Sequence, residues 1–159
     1  MNCKIKTITT QQEYPAASIF GAIASELDIG SYEESSADVI ETYLQGDIFE
    51  NDDDVAVVYE EIISDQNDAC DTRLTFKKSL PTDVVLTRKG AVNTVMQFTQ
   101  GGRTICVYNT PFMPFEICVF TKSVENRLTD LGYLEIVYLI EIKGASAQKT
   151  VFRMEIEKI

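Results

Sequence analysis

The side chains of this sequence that could do chemistry are few, and the first is an arginine in an apolar, strand-like segment. Arg88 has the same alternation as Val84 and Leu86, so it projects to the same side of a strand as those residues. A guanidinium on that side binds a carboxylate or phosphate through paired, charge-assisted hydrogen bonds. The alternatives are an ion pair with Glu60 or Glu61, or a side chain that leaves through the rim. The sequence leaves these interpretations open.

Three tyrosines and an asparagine are the other candidates for binding a ligand. Tyr59, Tyr108 and Tyr138 lie in otherwise apolar segments, and each offers an apolar ring with a hydroxyl that can orient a small molecule. The alternative is core packing, with the hydroxyl bonded to a backbone carbonyl. Asn93 follows the turn at 88–92 and either contacts a ligand or bonds to the backbone of that turn. The predicted ligand-binding set is Arg88, Tyr59, Tyr108, Tyr138 and Asn93.

The residues that most enzymes and metal sites need are missing or badly spaced. The chain has no histidine, which excludes Ser-His-Asp and Cys-His catalysis and removes the commonest metal ligand. Glu60 and Glu61 are adjacent, so on a strand they face opposite sides and cannot form a catalytic pair of carboxylates. The acidic segment 65–76 lacks the glycine and glutamate of a calcium-binding EF-hand loop. We therefore predict no catalytic residues, no metal site and no cofactor.

The four cysteines, at positions 3, 70, 106 and 118, show no CxxC spacing. Cys106 and Cys118 are placed symmetrically about Phe112, so a tight hairpin would bring them opposite each other. A disulfide has demanding geometry and a reducing compartment would keep both thiols free, so we predict small core residues.

Charge and composition narrow the class of partner. Lys and Arg total 14 and Asp and Glu total 25, giving a net charge of −11, which repels nucleic acids and anionic membranes. No run of 18 apolar residues occurs, and the first residues alternate like a strand rather than a signal peptide. These features predict a cytoplasmic protein with a single domain over residues 1–159, and they leave a homodimer or another protein partner open.

Most of the chain has the period-two alternation of β-strands, with one exception near the start. Ile19, Ile23 and Leu27 recur every four residues within 16–27, which predicts a short helix inside a helix and loop insertion at 13–37. This helix would plug or cover a barrel end, or offer an apolar face to a partner. Gly46 predicts a bulge or bend within a strand, and 124–132 has the composition of a polar connection.

About ten strand-like segments follow one another at the spacing typical of an antiparallel sandwich or barrel. Ten strands in one open sheet would leave long unpaired edges, so a sheet that closes on itself is favoured. The predicted fold is all-β, an antiparallel up-and-down barrel of about 8–10 strands with one short helix between the first two.

Two motifs occur in sequence in the second half of the chain. The run from Arg88 to Phe98, with Gly90, Asn93 and Met96, is followed by Tyr108-Asn109-Thr110-Pro111. Together they resemble an uncharacterised bacterial family, the YwiB-like proteins. The resemblance extends from about residue 38 to the C-terminus. It implies a lipocalin-like, calycin-type barrel and no established activity.

Two functions remain open from the sequence. The first is a non-enzymatic barrel that holds a small amphipathic or acidic ligand against Arg88 and the tyrosines. The second is a filled barrel that acts as a structural or protein-interaction module through the helix, the edge at 38–49 or the loop at 112–115.

Overall fold

The structure is a computed structural model of the chain. It describes residues 1–14, 38–62, 69–109, 114–142 and 147–159, and only the backbone of 13–14, 108–109, 114–115, 142 and 147. The described residues form ten strands: β1 (Asn2–Tyr14), β2 (Asp38–Glu50), β3 (Asp54–Ile62), β4 (Ala69–Lys77), β5 (Leu80–Gly90), β6 (Thr94–Thr99), β7 (Arg103–Asn109), β8 (Pro114–Arg127), β9 (Tyr133–Ile142) and β10 (Ala147–Lys158).

The ten strands form one antiparallel sheet that wraps into a nearly closed barrel. Their order is β6-β5-β4-β3-β2-β1-β10-β9-β8-β7. Strands that follow one another in the sequence therefore pair, except β6 and β7, and β1 pairs with β10. That join is long and regular, with partners from Cys3↔Lys158 to Tyr14↔Ala147. The all-β class and the antiparallel barrel that the sequence predicted are confirmed.

The alternation of the strands explains which side chains fill the barrel. In β4, for example, Cys70, Thr72, Leu74 and Phe76 are buried, and Arg73 between them is exposed. The same period-two pattern on the other strands gives one apolar core inside the barrel.

The seam of the barrel lies between β6 and β7. Within the described residues, β6 forms a ladder only with β5, and β7 forms a ladder only with β8. Side chains and the connecting turn join the two edges. The Thr104 hydroxyl donates to the Gln97 carbonyl at 3.2 Å, and the amide of Gly101 donates to the Thr121 carbonyl on β8 at 2.8 Å. Gly101 has a φ of 78°, a conformation that glycine adopts readily in a tight turn.

β1, β3, β5, β7 and β9 all finish at the same end of the barrel, which we call the upper end. The chain termini and the turns at 51–53, 78–79 and 100–102 lie at the opposite, lower end. Arg88, two residues before the finish of β5, therefore lies towards the upper end.

Two predictions about local structure need correction. Gly46 makes no bulge, because it pairs in continuous register with Cys3 on one side and Tyr59 on the other. The segment after residue 123 is not a connection, because β8 continues to Arg127. A register shift between Thr121 and Ser123 resets the alternation, so that Val124 faces the core.

The predicted helix at 16–27, and most of the insertion at 13–37, lie outside the described residues. The described part of the chain contains no helix. Consequently no described segment has the length and hydropathy of a membrane-spanning helix.

Glycine is required at position 46, because the neighbouring strands β1 and β3 come too close to its Cα atom to leave room for a side chain. A Cβ atom there would overlap the Val58 carbonyl oxygen and lie 2.8 Å from the Ile5 side chain. We expect Gly46→Ala to lower the free energy of unfolding by about 1–3 kcal/mol, as overpacking of a core does. Urea denaturation measures the loss.

The control for this prediction is Gly101→Asn. A Cβ at Gly101 meets no atom within 4 Å, and asparagine tolerates its positive φ. Equal losses in the two variants would show that close approach at Gly46 is not the cause.

Candidate functional site

The barrel interior contains a cavity of about 240 Å³ towards the upper end. Its walls come from seven strands and are mainly apolar, with a small number of polar groups. The lining residues are Thr9, Gln11, Leu74, Leu86, Arg88, Met96, Phe98, Ile117, Ile136, Tyr138, Ile140, Gln148 and Phe152. An apolar wall with a few convergent polar groups is the usual composition of a small-molecule site.

Strand register gathers polar side chains in one row across β3 to β6. Tyr59 pairs with Thr72, Thr72 with Arg88, and Arg88 with Thr94. Directly paired residues point to the same face of a sheet, so all four face the interior. The next inward layer across β4, β5 and β6 is apolar. The polar row therefore lies directly above an apolar layer, and its Tyr59, Thr72 and Thr94 are themselves buried.

Arg88 is held in this row by an ion pair. Its Nε donates to Glu61 Oε1 at 2.5 Å, and the Thr72 hydroxyl donates to the same oxygen at 2.6 Å. Each charged side chain retains 19% of its exposed area. The sequence allowed an inward guanidinium or an ion pair with Glu60 or Glu61, and the structure shows both features together. Glu60 is exposed, on the opposite face of β3, as the sequence predicted.

A second polar row crosses the opposite wall from β1 to β8. Gln11 pairs with Thr150, Thr150 with Tyr138, and Tyr138 with Thr121. Gln148, which also lines the cavity, precedes Thr150 by two positions and shares its face. The cavity thus has a charged wall around Arg88 and an uncharged polar wall opposite it.

The two tyrosines of the interior differ in their contact with the cavity. Tyr138 lines it, with its ring centroid 4.6 Å from that of Phe98 in a tilted arrangement. Tyr59 is buried beside the ion pair. Burial raises the pKa of the Tyr59 hydroxyl, the Glu61 carboxylate raises it further, and the Arg88 guanidinium lowers it. Tyr59 is therefore neutral at physiological pH.

The other two predicted residues are not shown at the cavity. Tyr108, on β7, pairs with Phe115 on β8. The structure describes only the backbone of Tyr108, so the position of its side chain is not among the described features. Asn93 is exposed and bonds to its own turn: its amide nitrogen donates to the Gly90 carbonyl, and its Oδ1 accepts from the Gly90 amide, both at 3.3 Å. This is the second of the two roles that the sequence allowed for Asn93.

Sequence reasoning missed the polar residues that complete the two rows. The omitted set is Gln11, Thr72, Thr94, Thr121, Gln148 and Thr150. Their inward alternation with apolar neighbours was a usable signal, because Thr72 precedes Leu74 and Phe76 at spacing two. Threonine is common on both faces of strands, so its type alone did not mark it.

The cysteines are free thiols and do not face each other. Cys106 pairs with Ile117 and Cys118 pairs with Ile105, so the two side chains lie on opposite faces of the sheet. The expectation that Cys106 and Cys118 lie opposite each other is therefore wrong, because the pairing of β7 with β8 differs by one residue from the pairing that a hairpin centred on Phe112 would give. Cys106 is buried 3.0 Å from the Thr94 hydroxyl, as a small core residue. Among the described side chains, no group of three His, Cys, Asp or Glu could hold a metal ion.

Two larger grooves, of about 600 and 670 Å³, lie on the outer face of the barrel. Arg73 and Val85 line the first, and Lys6 and Tyr43 line the second, where Lys6 is paired with Glu41 at 2.9 Å. Both grooves face solvent. Most of the residues that line the smaller interior cavity are buried, so it is the better candidate for a small ligand.

Comparison with known proteins supports the fold and adds no activity. The family described as a domain of unknown function (DUF1934) matches residues 26–154 of the chain. The crystal structure of the ywiB protein from Bacillus subtilis matches with a TM-score of 0.66 and 18% sequence identity, over 97% of this chain and 90% of that chain. At this identity the likeness shows the fold alone. No curated protein gives a significant match.

The fold and the cavity define a class of protein, an antiparallel β-barrel with an interior cavity between a charged and an uncharged polar wall. The chain belongs to the DUF1934 family of YwiB-like proteins, whose function is unknown. The resemblance found in the sequence is therefore confirmed.

The ion pair predicts a specific pattern of stability. Arg88→Met leaves the Glu61 carboxylate half-buried without its cation, and we expect a loss of about 2–3 kcal/mol in the free energy of unfolding. Adding Glu61→Gln should restore most of this loss, because the unpaired charge is removed. Urea denaturation of both single variants and the double variant measures the coupling. Additive losses would show that the pair is not coupled.

The raised pKa of Tyr59 leads us to expect that the protein loses stability at high pH. The unfolded chain ionises Tyr59 near its ordinary pKa of 10.0, whereas the folded chain keeps it neutral. Above that pH the unfolded state binds fewer protons, so stability falls with a slope of at most about 1.4 kcal/mol per pH unit from this group. Urea denaturation between about pH 8 and 11 should show a shallower fall in Tyr59→Phe. An unchanged slope in Tyr59→Phe would contradict this prediction.

Proposed function

We propose that this protein is a non-enzymatic, lipocalin-like barrel of the calycin type that binds a small amphipathic or acidic ligand in its interior cavity. The observation that carries the proposal is the cavity of about 240 Å³ beside Arg88, Tyr138 and the Gln11–Gln148 wall. Free cysteines throughout the described residues support action in the cytoplasm, where thiols stay reduced.

The size of the cavity limits the ligand. Small-molecule sites usually enclose about 300–1,000 Å³, so this cavity suits a ligand of the size of a substituted benzene ring. Leu74, Leu86 and Phe98 would pack against an apolar body, and the two polar walls would orient its functional groups. Burial in a largely preformed cavity reduces the entropy lost on binding.

A filled barrel that binds another protein is the second candidate, and exposed apolar side chains favour it. Val39 and Tyr43, which share the outer face of β2, keep 61% and 71% of their surface exposed. β2 contains the segment 38–49 that the sequence indicated as a docking surface, but it pairs with both β1 and β3, so its outer face rather than a sheet edge would meet the partner. Apolar groups exposed together on a soluble domain often mark an interface.

The methyl group of Met96 provides the test, because Met96 lines the cavity, whereas Met154 is buried in the core and does not line it. We expect benzamide or benzoate to shift the Met96 methyl NMR signal of methionine-labelled protein and to leave the Met154 signal in place. Ile140→Phe, which adds volume at the cavity wall, should abolish the shift while the protein stays folded. If neither probe moves the Met96 signal, the binding proposal fails and the filled barrel is favoured.

A further inference from the structure

Three aliphatic side chains lie exposed together on the outside of the barrel, along the seam between β6 and β7. Val95 on β6 keeps 59% of its surface exposed, and Ile105 and Val107 on β7 keep 70% and 51%. We call the outer surface of β5, β6, β7 and β8 the seam face. Proteins usually cover exposed aliphatic groups that lie beside strand edges, so the seam face is a candidate interface.

A side-chain contact across the seam shows how the two halves of the seam face are aligned. Thr94 Oγ1 lies 3.0 Å from Cys106 Sγ. With the ladders on either side, this contact defines one level that crosses β5 to β8: Arg88, Thr94, Cys106 and Ile117. Val95 and Ile105 each lie one residue below this level, so they are neighbours across the seam.

One charged residue lies on each side of the seam at the next level up. Lys89 on β5 follows Arg88 towards the upper end, and Glu116 on β8 precedes Ile117 towards the same end. Both are exposed and alternate with inward residues, so they lie on the seam face. β5 and β8 are each one strand away from the edges of the seam. Lys89 and Glu116 are therefore placed symmetrically about it.

The lower part of the seam face has one acid and one base in the opposite arrangement. Asp83 on β5 pairs with Thr99, and the exposed Lys122 on β8 follows Thr121. The turn between β6 and β7 joins these two positions. The Gly102 amide donates to the Thr99 carbonyl at 2.7 Å, and the Thr121 amide donates to the Gly102 carbonyl at 2.9 Å. Going up the seam face, β5 thus has an acid and then a base, whereas β8 has a base and then an acid.

These four charges are available for a partner. Within the part of the chain that the structure describes, none of the four has an ion-pair partner. Their region of the barrel also lacks the acidic excess of the chain, because residues 69–127 contain eight Lys and Arg against four Asp and Glu, in a chain with a net charge of −11. Repulsion between more distant charges is screened beyond about 8 Å at physiological ionic strength.

We infer that the seam face is the interface of a homodimer whose two-fold axis runs parallel to the seam. Such an axis places β5 of one protomer against β8 of its partner, and β6 against β7. Lys89 then meets Glu116 of the partner subunit, and Asp83 meets Lys122 of the partner subunit. The exposed aliphatic side chains form the centre of the interface, inside this rim of charges. A two-fold interface must be self-complementary, and the exchanged charges on β5 and β8 satisfy that condition.

Reversing one charge pair tests this geometry. Lys89→Glu and Glu116→Lys each bring like charges together at both symmetric contacts, so each variant alone should have a dimer Kd raised at least about tenfold. An equal mixture of the two variants should dimerise again. In the mixed dimer the two introduced charges meet each other, and the native Lys89 meets the native Glu116 at the second contact. Sedimentation velocity at a series of protein concentrations measures the dimer fraction.

Two further variants separate the interface from general effects of charge. Lys4→Glu changes the net charge as Lys89→Glu does, at an exposed position on β1 away from the seam face, and should leave the dimer Kd unchanged. Ile105→Ser removes an aliphatic group from the centre of the interface and should raise the dimer Kd about tenfold.

The inference goes beyond the proposed function and does not depend on a ligand. Wild-type protein that stays monomeric up to about 100 µM, above the micromolar Kd of weak interfaces of standard size, would overturn it and leave the seam face to a different protein. Single charge variants that dimerise like the wild type, or a mixture of them that stays monomeric, would overturn it too. None of these results bears on the interior cavity, so the proposed function stands or fails separately.

Discussion

The pairing of the first strand with the last determines the rest of this structure. β1 and β10 are joined over almost their full lengths, and this join brings the two ends of a simple antiparallel meander together as a barrel. Once the sheet curves into a barrel, every second residue must face the interior. The interior then consists of layers, each made of residues that are directly opposite each other on neighbouring strands. The composition of each layer follows from register alone.

Register explains why polar groups of distant sequence positions meet. Arg88 and Thr72 are paired residues of β5 and β4, and Thr150 and Tyr138 are paired residues of β10 and β9. The apolar layer below them supplies the burial that stabilises the barrel. The polar rows lie towards the upper end, where the charged pair keeps some exposure. An Arg–Glu pair placed deeper would cost more in desolvation than it gains in attraction.

The sequence was sufficient to predict the strands, the barrel and the inward direction of Arg88, because all three depend on period-two alternation. It was not sufficient where alternation is interrupted. The segment 124–132 was predicted as a polar connection, but β8 continues past the register shift between Thr121 and Ser123 as far as Arg127. One residue of register also separated Cys106 from Cys118. Pairing register is set by contacts between strands, so a single sequence constrains it weakly.

The cavity itself could not be predicted from the sequence. Its walls combine residues from seven strands, and its volume depends on how their side chains pack. Arg88 and Tyr138 were identified because a charge or a hydroxyl in an apolar strand is conspicuous. Thr150 was overlooked, because its place between Gln11 and Tyr138 depends on the pairing register of three strands.

The most direct test of the account is the mass of the intact protein under native conditions. The protein is incubated with a small-molecule extract of cells, freed of unbound material, and measured by mass spectrometry before and after denaturation. The account predicts a native mass above that of the bare chain by the mass of one small molecule, and a loss of this excess on denaturation. It also predicts no excess for Ile140→Phe. A native mass equal to that of the bare chain after incubation would contradict the claim that the barrel holds a ligand.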